Sequence, residues 1–329
     1  MVLVKSSEIK RATKSLVEAK IPLFLWGAPG IGKSSIIKEV ARDLDIECID
    51  LRLSLFDPTD LKGIPYFDSG SAQWAPPSFL PRSGEGILFL DELNLAAPAV
   101  QASAYQLILD RRVGEYELPD GWAVVAAGNR EGDRGVVYRL PSPLANRFVH
   151  LEMGADSDEW REWAIKMGVD SKIIAYISFK PSSLFEFDPT QKSFATPRSW
   201  EAVDKILKSD VDKNLYLDVV GGAIGADRAI DFLGFIKVMD RLPDIDAIFS
   251  GDFSVVCDDI ESLYALSSVL VMRVLSDRSD ENISMVLGYS LQLKNEFALL
   301  IIQDLQRQGV VMDHLDAYGE WVEAFAHLL

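Results

Sequence analysis

Apolar residues recur every three or four positions over residues 6–19, with Ile9, Ala12, Leu16 and Ala19 on one face. That spacing predicts a helix, with Ser7 as a candidate cap. Residues 23–26 form a short unbroken apolar run suited to a buried strand, and residues 35–44 return to helical spacing. Residues 46–53 read as a second strand. The proline- and glycine-rich residues 56–81 read as an inserted, loop-rich segment. Residues 86–91 carry four consecutive apolar side chains and end in acid, the pattern of a central parallel strand. A helix follows over 99–110, then a short strand over 113–118 and a turn at Asp120-Gly121. Buried strands follow over 122–127 and 148–152. Strands alternating with helices predict an α/β fold, a parallel sheet with helices on both faces. Beyond about residue 156 the pattern is mostly helical, and the apolar runs at 263–275 and 297–305 predict packed helices.

The 329 residues are 48% hydrophobic and 25% charged, as in globular proteins, and the longest apolar runs fall far short of a membrane span. The first residues lack the layout of a signal peptide, so a cytoplasmic location and no membrane insertion are expected. Cys48 and Cys257 are too few for a disulfide framework and read as buried thiols. Net charge is −17, which disfavours nonspecific binding to nucleic acid, so a nucleic-acid partner is not expected. Residues 244–329 hold 15 acids against 4 Lys or Arg, a net −11, while the first 243 residues carry only −6. This shift predicts a separate acidic module at the C-terminal end.

The chemistry begins where the first buried strand stops. Gly27-Ala28-Pro29-Gly30-Ile31-Gly32-Lys33-Ser34 matches G-x-x-x-x-G-K-[ST], with strand before and helix after. Glycines let backbone N–H groups turn inward onto phosphate oxygens. Lys33 would reach the β- and γ-phosphates, Ser34 would offer its hydroxyl to Mg2+, and Ser35 opens the helix whose N-terminus faces the phosphates. At the next strand end, Asp91 could hold Mg2+ through its water shell while Glu92 polarises the attacking water. A carboxylate tied to a metal is a poor base, so two acids separate the tasks. Asn129 ends a third strand, where its amide could orient that water. Arg147, at the end of a short helix before the last strand, and Arg198, after Pro197, also stand out.

With these motifs the sequence resembles the AAA+ ATPases, and within them the MoxR-like branch of the helix-2-insert clade. Asp91-Glu-Leu-Asn-Leu-Ala-Ala-Pro-Ala-Val-Gln101 is similar to the branch's D-E-x-N-x-A-x-x-x-V-Q signature. Residues 56–81 resemble its helix-2 insertion, and residues 113–121 the hairpin before the sensor strand. The resemblance covers residues 1–240. It implies an AAA+ core with a parallel five-stranded sheet over residues 1–155 and a helical lid over 156–243. The acidic, mostly helical region 244–329 lies outside it. It implies Walker A at Gly27 to Ser34, Walker B at Asp91 and Glu92, sensor 1 at Asn129, an arginine finger at Arg147 and sensor 2 at Arg198. It also implies ATP with Mg2+ clamped between subunits of a homo-oligomeric ring, usually a hexamer. Such proteins remodel or activate partner proteins, often ones with a von Willebrand factor A domain. Leu95 where the branch often has Arg, Gly128-Asn129-Arg130 where Asn-Pro is usual, and Asn146 where Asp is frequent mark a divergent subgroup. A nucleic-acid-directed motor of restriction or translocase type is the alternative. It would need a basic pore or reader domain, and the sequence displays neither. A nucleotide-dependent scaffold is a third reading, disfavoured by intact Glu92 and Arg147.

Overall fold

The computed structural model describes residues 3–326 apart from 69, 131, 134–137, 189, 240, 241, 243, 255, 256 and 258. Packing divides the chain into two compact units, Met1–Asp156 and Ser157–Leu329.

The first unit is built on strands β1 (Leu3–Val4), β2 (Leu23–Trp26), β3 (Glu47–Arg52), β6 (Gly86–Asp91), β9 (Trp122–Gly128) and β10 (Val149–Met153), with β4 (Ile64–Asp68) paired to β5 (Ser71–Ala75) and β7 (Arg112–Val113) to β8 (Tyr116–Glu117) in two separate hairpins. The main sheet runs β1-β10-β2-β9-β6-β3, all parallel. It has six strands rather than the expected five, because Leu3 and Val4 pair with Glu152 and Met153 at its edge. Two residues are too few to show a period, so this strand had no signature in the pattern. β6 and β9 are buried along their whole length, which explains their unbroken apolar runs. The flanking helices are α1 (Ser6–Glu18), α2 (Lys33–Asp43), α3 (Pro58–Lys62), α4 (Pro98–Asp110) and α5 (Ser142–Ala145). The first residue outside α1 is Lys5, which makes no side-chain cap, so Ser7 lies inside the helix and not at its cap.

Residues 56–81 are more regular than a loop. Asp57 and Asp60 form a capping box that opens α3, and Gly63 follows it at φ 89°. A Cβ on Gly63 would stand 2.0 Å from the Ala75 carbonyl oxygen, so only glycine lets the two ends of the hairpin close. The prolines signalled irregularity, yet Pro58 opens α3 and Pro65 is the second residue of β4, while Pro76, Pro77 and Pro81 follow β5.

The second unit is all helical: α6 (Ser157–Lys166), α7 (Ser171–Phe179), α8 (Pro197–Leu207), α9 (Tyr216–Ile224), α10 (Ala226–Met239), α11 (Ile245–Phe249), α12 (Ile260–Ser276), α13 (Asp280–Ser290), α14 (Asn295–Arg307) and α15 (Asp316–Phe325). The apolar runs at 263–275 and 297–305 are the packed helices α12 and α14. One hydrophobic core runs through the unit, joining Trp160, Tyr176, Trp200 and Phe232 to Leu266, Tyr289, Ile301 and Trp321. It therefore crosses the 243/244 boundary that the charge count had suggested; residue 243 itself lies outside the described residues. Arg161 and Asp304, from the two sides of that boundary, form a buried ion pair at 2.8 Å. Charge is a surface property and does not report which apolar faces meet. Cys48 and Cys257 are half-buried rather than buried. Among the described residues no helix is long and apolar enough to cross a membrane.

Candidate active site

The strands β2, β9, β6 and β3 end level with one another: Trp26 pairs with Gly128, Leu90 with Ala126, and Arg52 with Asp91. Parallel strands aim their carboxyl ends to one side, and ligands of such sheets bind in the crevice there. Apart from Arg147, which precedes the first residue of β10, the sequence-predicted residues of the first unit collect at this edge.

The phosphate-loop segment leaves β2 through Gly27, whose N–H donates to the Gly128 carbonyl at 3.2 Å. Gly30 and Gly32 take φ of 78° and 100°, values that other residues adopt only with strain. Gly32 directly precedes α2. The Lys33 ammonium is buried and donates to the carbonyls of Gly27 (2.7 Å) and Ala28 (3.0 Å) and to Asn129 Oδ1 (3.1 Å). One cation thus bridges the loop and the end of β9.

Ser34 Oγ donates to Asp91 Oδ2 at 2.8 Å, and the Glu92 N–H donates to Asp91 Oδ1 at 2.9 Å. Burial raises the Asp91 carboxyl above its ordinary value of 3.8; the Ser34 bond opposes the rise and the charges of Asp50 and Glu92 add to it. A buried anion with a hydroxyl beside it and few cations near it is the donor set a hard divalent cation takes. Glu92 sits at φ 58°, left-handed for a non-glycine residue, where the chain turns from β6 into the short helix Leu93–Leu95. Such a conformation costs about 1–3 kcal/mol. Its carboxylate accepts from Ser54 Oγ, and Arg52 Nε lies 3.8 Å away.

Asn94 completes the constellation, although the motif reading did not assign it a role. Its side-chain N–H donates to the Asn129 carbonyl at 2.7 Å, and its Oδ1 accepts from the Asn129 N–H at 3.2 Å. Asn94 is 1% exposed. A Cβ on Gly128 would fall 2.2 Å from Asn94 Oδ1, so glycine before Asn129 makes room for this clasp. The D-E-x-N spacing was the signal that could have found Asn94; Ser54 and Arg52 carried none. A further cluster beside Asn129, in which Arg130 bonds buried Asp133 at 3.1 Å and approaches Glu152 at 3.8 Å, was likewise silent.

The two arginines fare differently. Arg147 lies on an exposed turn between α5 and β10, and its guanidinium has no partner among the described residues of its own chain. Arg198 belongs to the second unit, exposed at the first turn of α8, which Thr196 and Ser199 open with a capping box.

Residues 22–150 match the family model described as "ATPase family associated with various cellular activities (AAA)". The match takes in 129 of the 329 residues, all within the first unit. Among curated proteins, the chain is similar to Midasin of Giardia intestinalis, 27% identical over 153 residues. The match takes in 44% of this chain and 3% of Midasin, so the chain spans a small fraction of that relative's length. Among solved structures, a Thermotoga maritima RuvB mutant is 20% identical with a TM-score of 0.44, over 83% of this chain and 85% of that one. NtrX from Brucella abortus, in complex with ATP, is 13% identical with a TM-score of 0.44, over 93% and 68%. A putative ATPase from Cytophaga hutchinsonii is 13% identical with a TM-score of 0.39, over 93% and 90%.

Proposed function

We propose that this protein is a MoxR-like AAA+ ATPase, working in the cytoplasm as a homo-oligomeric ring. In this reading it couples ATP hydrolysis to remodelling of a partner protein, one with a von Willebrand factor A domain being the kind expected. The observation that carries the assembly is the exposed guanidinium of Arg147, unpartnered among the described residues, set against a site in which Lys33, Ser34 and Glu92 are engaged within the subunit. Charge that has no use at home is available to a neighbour's γ-phosphate.

The residues divide the work. Ala28, Gly30, Ile31 and Gly32 offer backbone N–H groups to the phosphates, Gly27 and Pro29 shape the loop that carries them, and Lys33 exchanges its carbonyl partners for phosphate oxygens. Ser34 and Asp91 would hold Mg2+, which when bound neutralises charge on the β- and γ-phosphates. Glu92, once released by Ser54, accepts a proton from the attacking water, and Asn129, clasped by Asn94, orients that water. Arg147 stabilises charge on the neighbouring subunit's phosphate, an effect worth about 10³–10⁵ in rate in related phosphoryl transfers. Arg198, on the helical lid, would link lid angle to nucleotide state.

Phosphate release and mass measurement in ATP test this together. Arg147→Ala should bind ATP normally, form rings and hydrolyse very slowly. Mixing it with Lys33→Ala subunits should restore activity, because the empty neighbour lends an intact arginine. No recovery in verified mixed rings would count against action in trans, and full activity in a verified monomer would end the ring reading.

A further inference from the structure

Trp26 is the last residue of β2 and precedes Gly27 of the phosphate loop. Its indole N–H donates to His150 Nδ1 at 2.9 Å, and His150 Nε2 lies 2.7 Å from the Ala145 carbonyl oxygen. An indole N–H can only donate and a carbonyl can only accept. One form of His150 satisfies both: the neutral ring with its proton on Nε2. Aromatic packing holds the ring in place. Trp26 and His150 stack with centroids 6.0 Å apart, Phe24 lies 4.1 Å from Trp26, and Phe148 meets His150 edge-on at 6.2 Å.

Ala145 is the last residue of α5, two before Arg147. Its carbonyl also accepts from the Phe148 N–H at 3.2 Å, so the bond from His150 and the turn around Arg147 meet on one oxygen. A short chain of contacts therefore leads from the phosphate loop through Trp26, His150 and Ala145 to the turn that presents Arg147. Neither Trp26 nor His150 belongs to the nucleotide-binding motif, and the proposed reaction leaves both unused.

We propose that His150 is a positioning residue that couples the phosphate loop of a subunit to the arginine-bearing turn of the same subunit. This rests on the reading in which Arg147 acts on the neighbour. Because that arginine serves the next site, the contact makes occupancy at one site bias hydrolysis at the adjacent one.

Steady-state phosphate release, with labelled-ADP affinity measured alongside, tests the coupling. His150→Phe keeps an aromatic ring but loses both hydrogen bonds. Nucleotide affinity should stay within about twofold while kcat drops about tenfold, inside the usual range for coupled sites. The dependence on ATP concentration should also lose cooperativity. His150→Gln should recover most of the rate, since its amide can accept from Trp26 and donate to Ala145. Trp26→Phe should produce the same loss, and the double variant should add little to either single one. If His150→Phe fails to fold, as judged by its melt, Trp26→Phe reports the same link from the other end. Wild-type kcat and cooperativity in whichever variant folds, with Arg147→Ala inactive, would overturn the coupling. So would a loss that Gln does not rescue and that lowers affinity and kcat together. A fully active Arg147→Ala would instead remove the arginine's assigned role, and the coupling with it.

Discussion

Lys33 and Glu92 are each held by the protein in a pose that nucleotide would have to replace. Lys33 rests on two loop carbonyls and Asn129, and Glu92 on Ser54. Lys33→Ala removes the mobile charge that would exchange those carbonyls for phosphate, and nucleotide affinity should be largely lost in a titration with labelled ADP. Glu92→Gln should bind ATP yet not turn it over, because the amide is no base; hydrolysis at the wild-type rate would show that another group polarises the water. Asp91 makes a prediction about stability. Its carboxyl is raised by burial, so the folded protein holds this proton at pH values where the unfolded chain has released it. Stability from this group is therefore greatest in acid and falls as pH rises through the ordinary carboxylate value towards the raised one. Asp91→Asn should raise the melting temperature of the nucleotide-free protein at pH 7, and the difference should shrink towards pH 4. A melting temperature that drops at pH 7 would show that the Ser34 and Glu92 hydrogen bonds outweigh the burial of charge.

Among the elements, the caps and the hairpin behave differently under mutation. Thr196 opens α8 by accepting from the Ser199 N–H at 3.1 Å while Ser199 Oγ accepts from the Thr196 N–H at 2.7 Å. Thr196→Ala should cost about 1 kcal/mol, read from denaturant midpoints at constant m-value. The β4–β5 hairpin exposes Ile64 (73%) and Phe67 (83%) and contributes neither to the apolar core. Phe67→Ser should therefore leave stability within about 0.5 kcal/mol of the parent. Gly63→Ala, with its carbonyl clash and left-handed φ, should disrupt the hairpin, visible as early proteolysis within residues 56–81.

At the scale of the molecule, acidity and packing point in different directions. The second unit holds 29 acids against 16 Lys or Arg, yet its core joins residues on both sides of the expected boundary. A chain ending at Leu242 would expose the faces of α7 and α10 that α12 covers and would leave the buried Arg161 without Asp304. Stranding one partner of such a pair costs about 3–5 kcal/mol. The truncated protein should be insoluble or lack a cooperative melt for its helical unit. A soluble fragment with a sharp second transition would restore the separate acidic module.

The sequence by itself determined the α/β alternation, the phosphate-loop segment between strand and helix, the adjacent acids at a strand end and the helical second half. Each is written in contiguous residues, through a period of apolar positions or a short run of glycines and charges. Asn94 was half legible: its spacing from Asp91 was in view, its clasp on Asn129 was not, because that bond spans 35 residues and exists only where β6 and β9 lie side by side. Tertiary structure alone decided that Ser54 holds Glu92, that Trp26 reaches His150 across 124 residues, and that two terminal residues add a sixth strand. It also decided that residues 157–329 share one core. These are choices of partner between distant segments, and hydrogen bonding and burial make them only after the chain has folded.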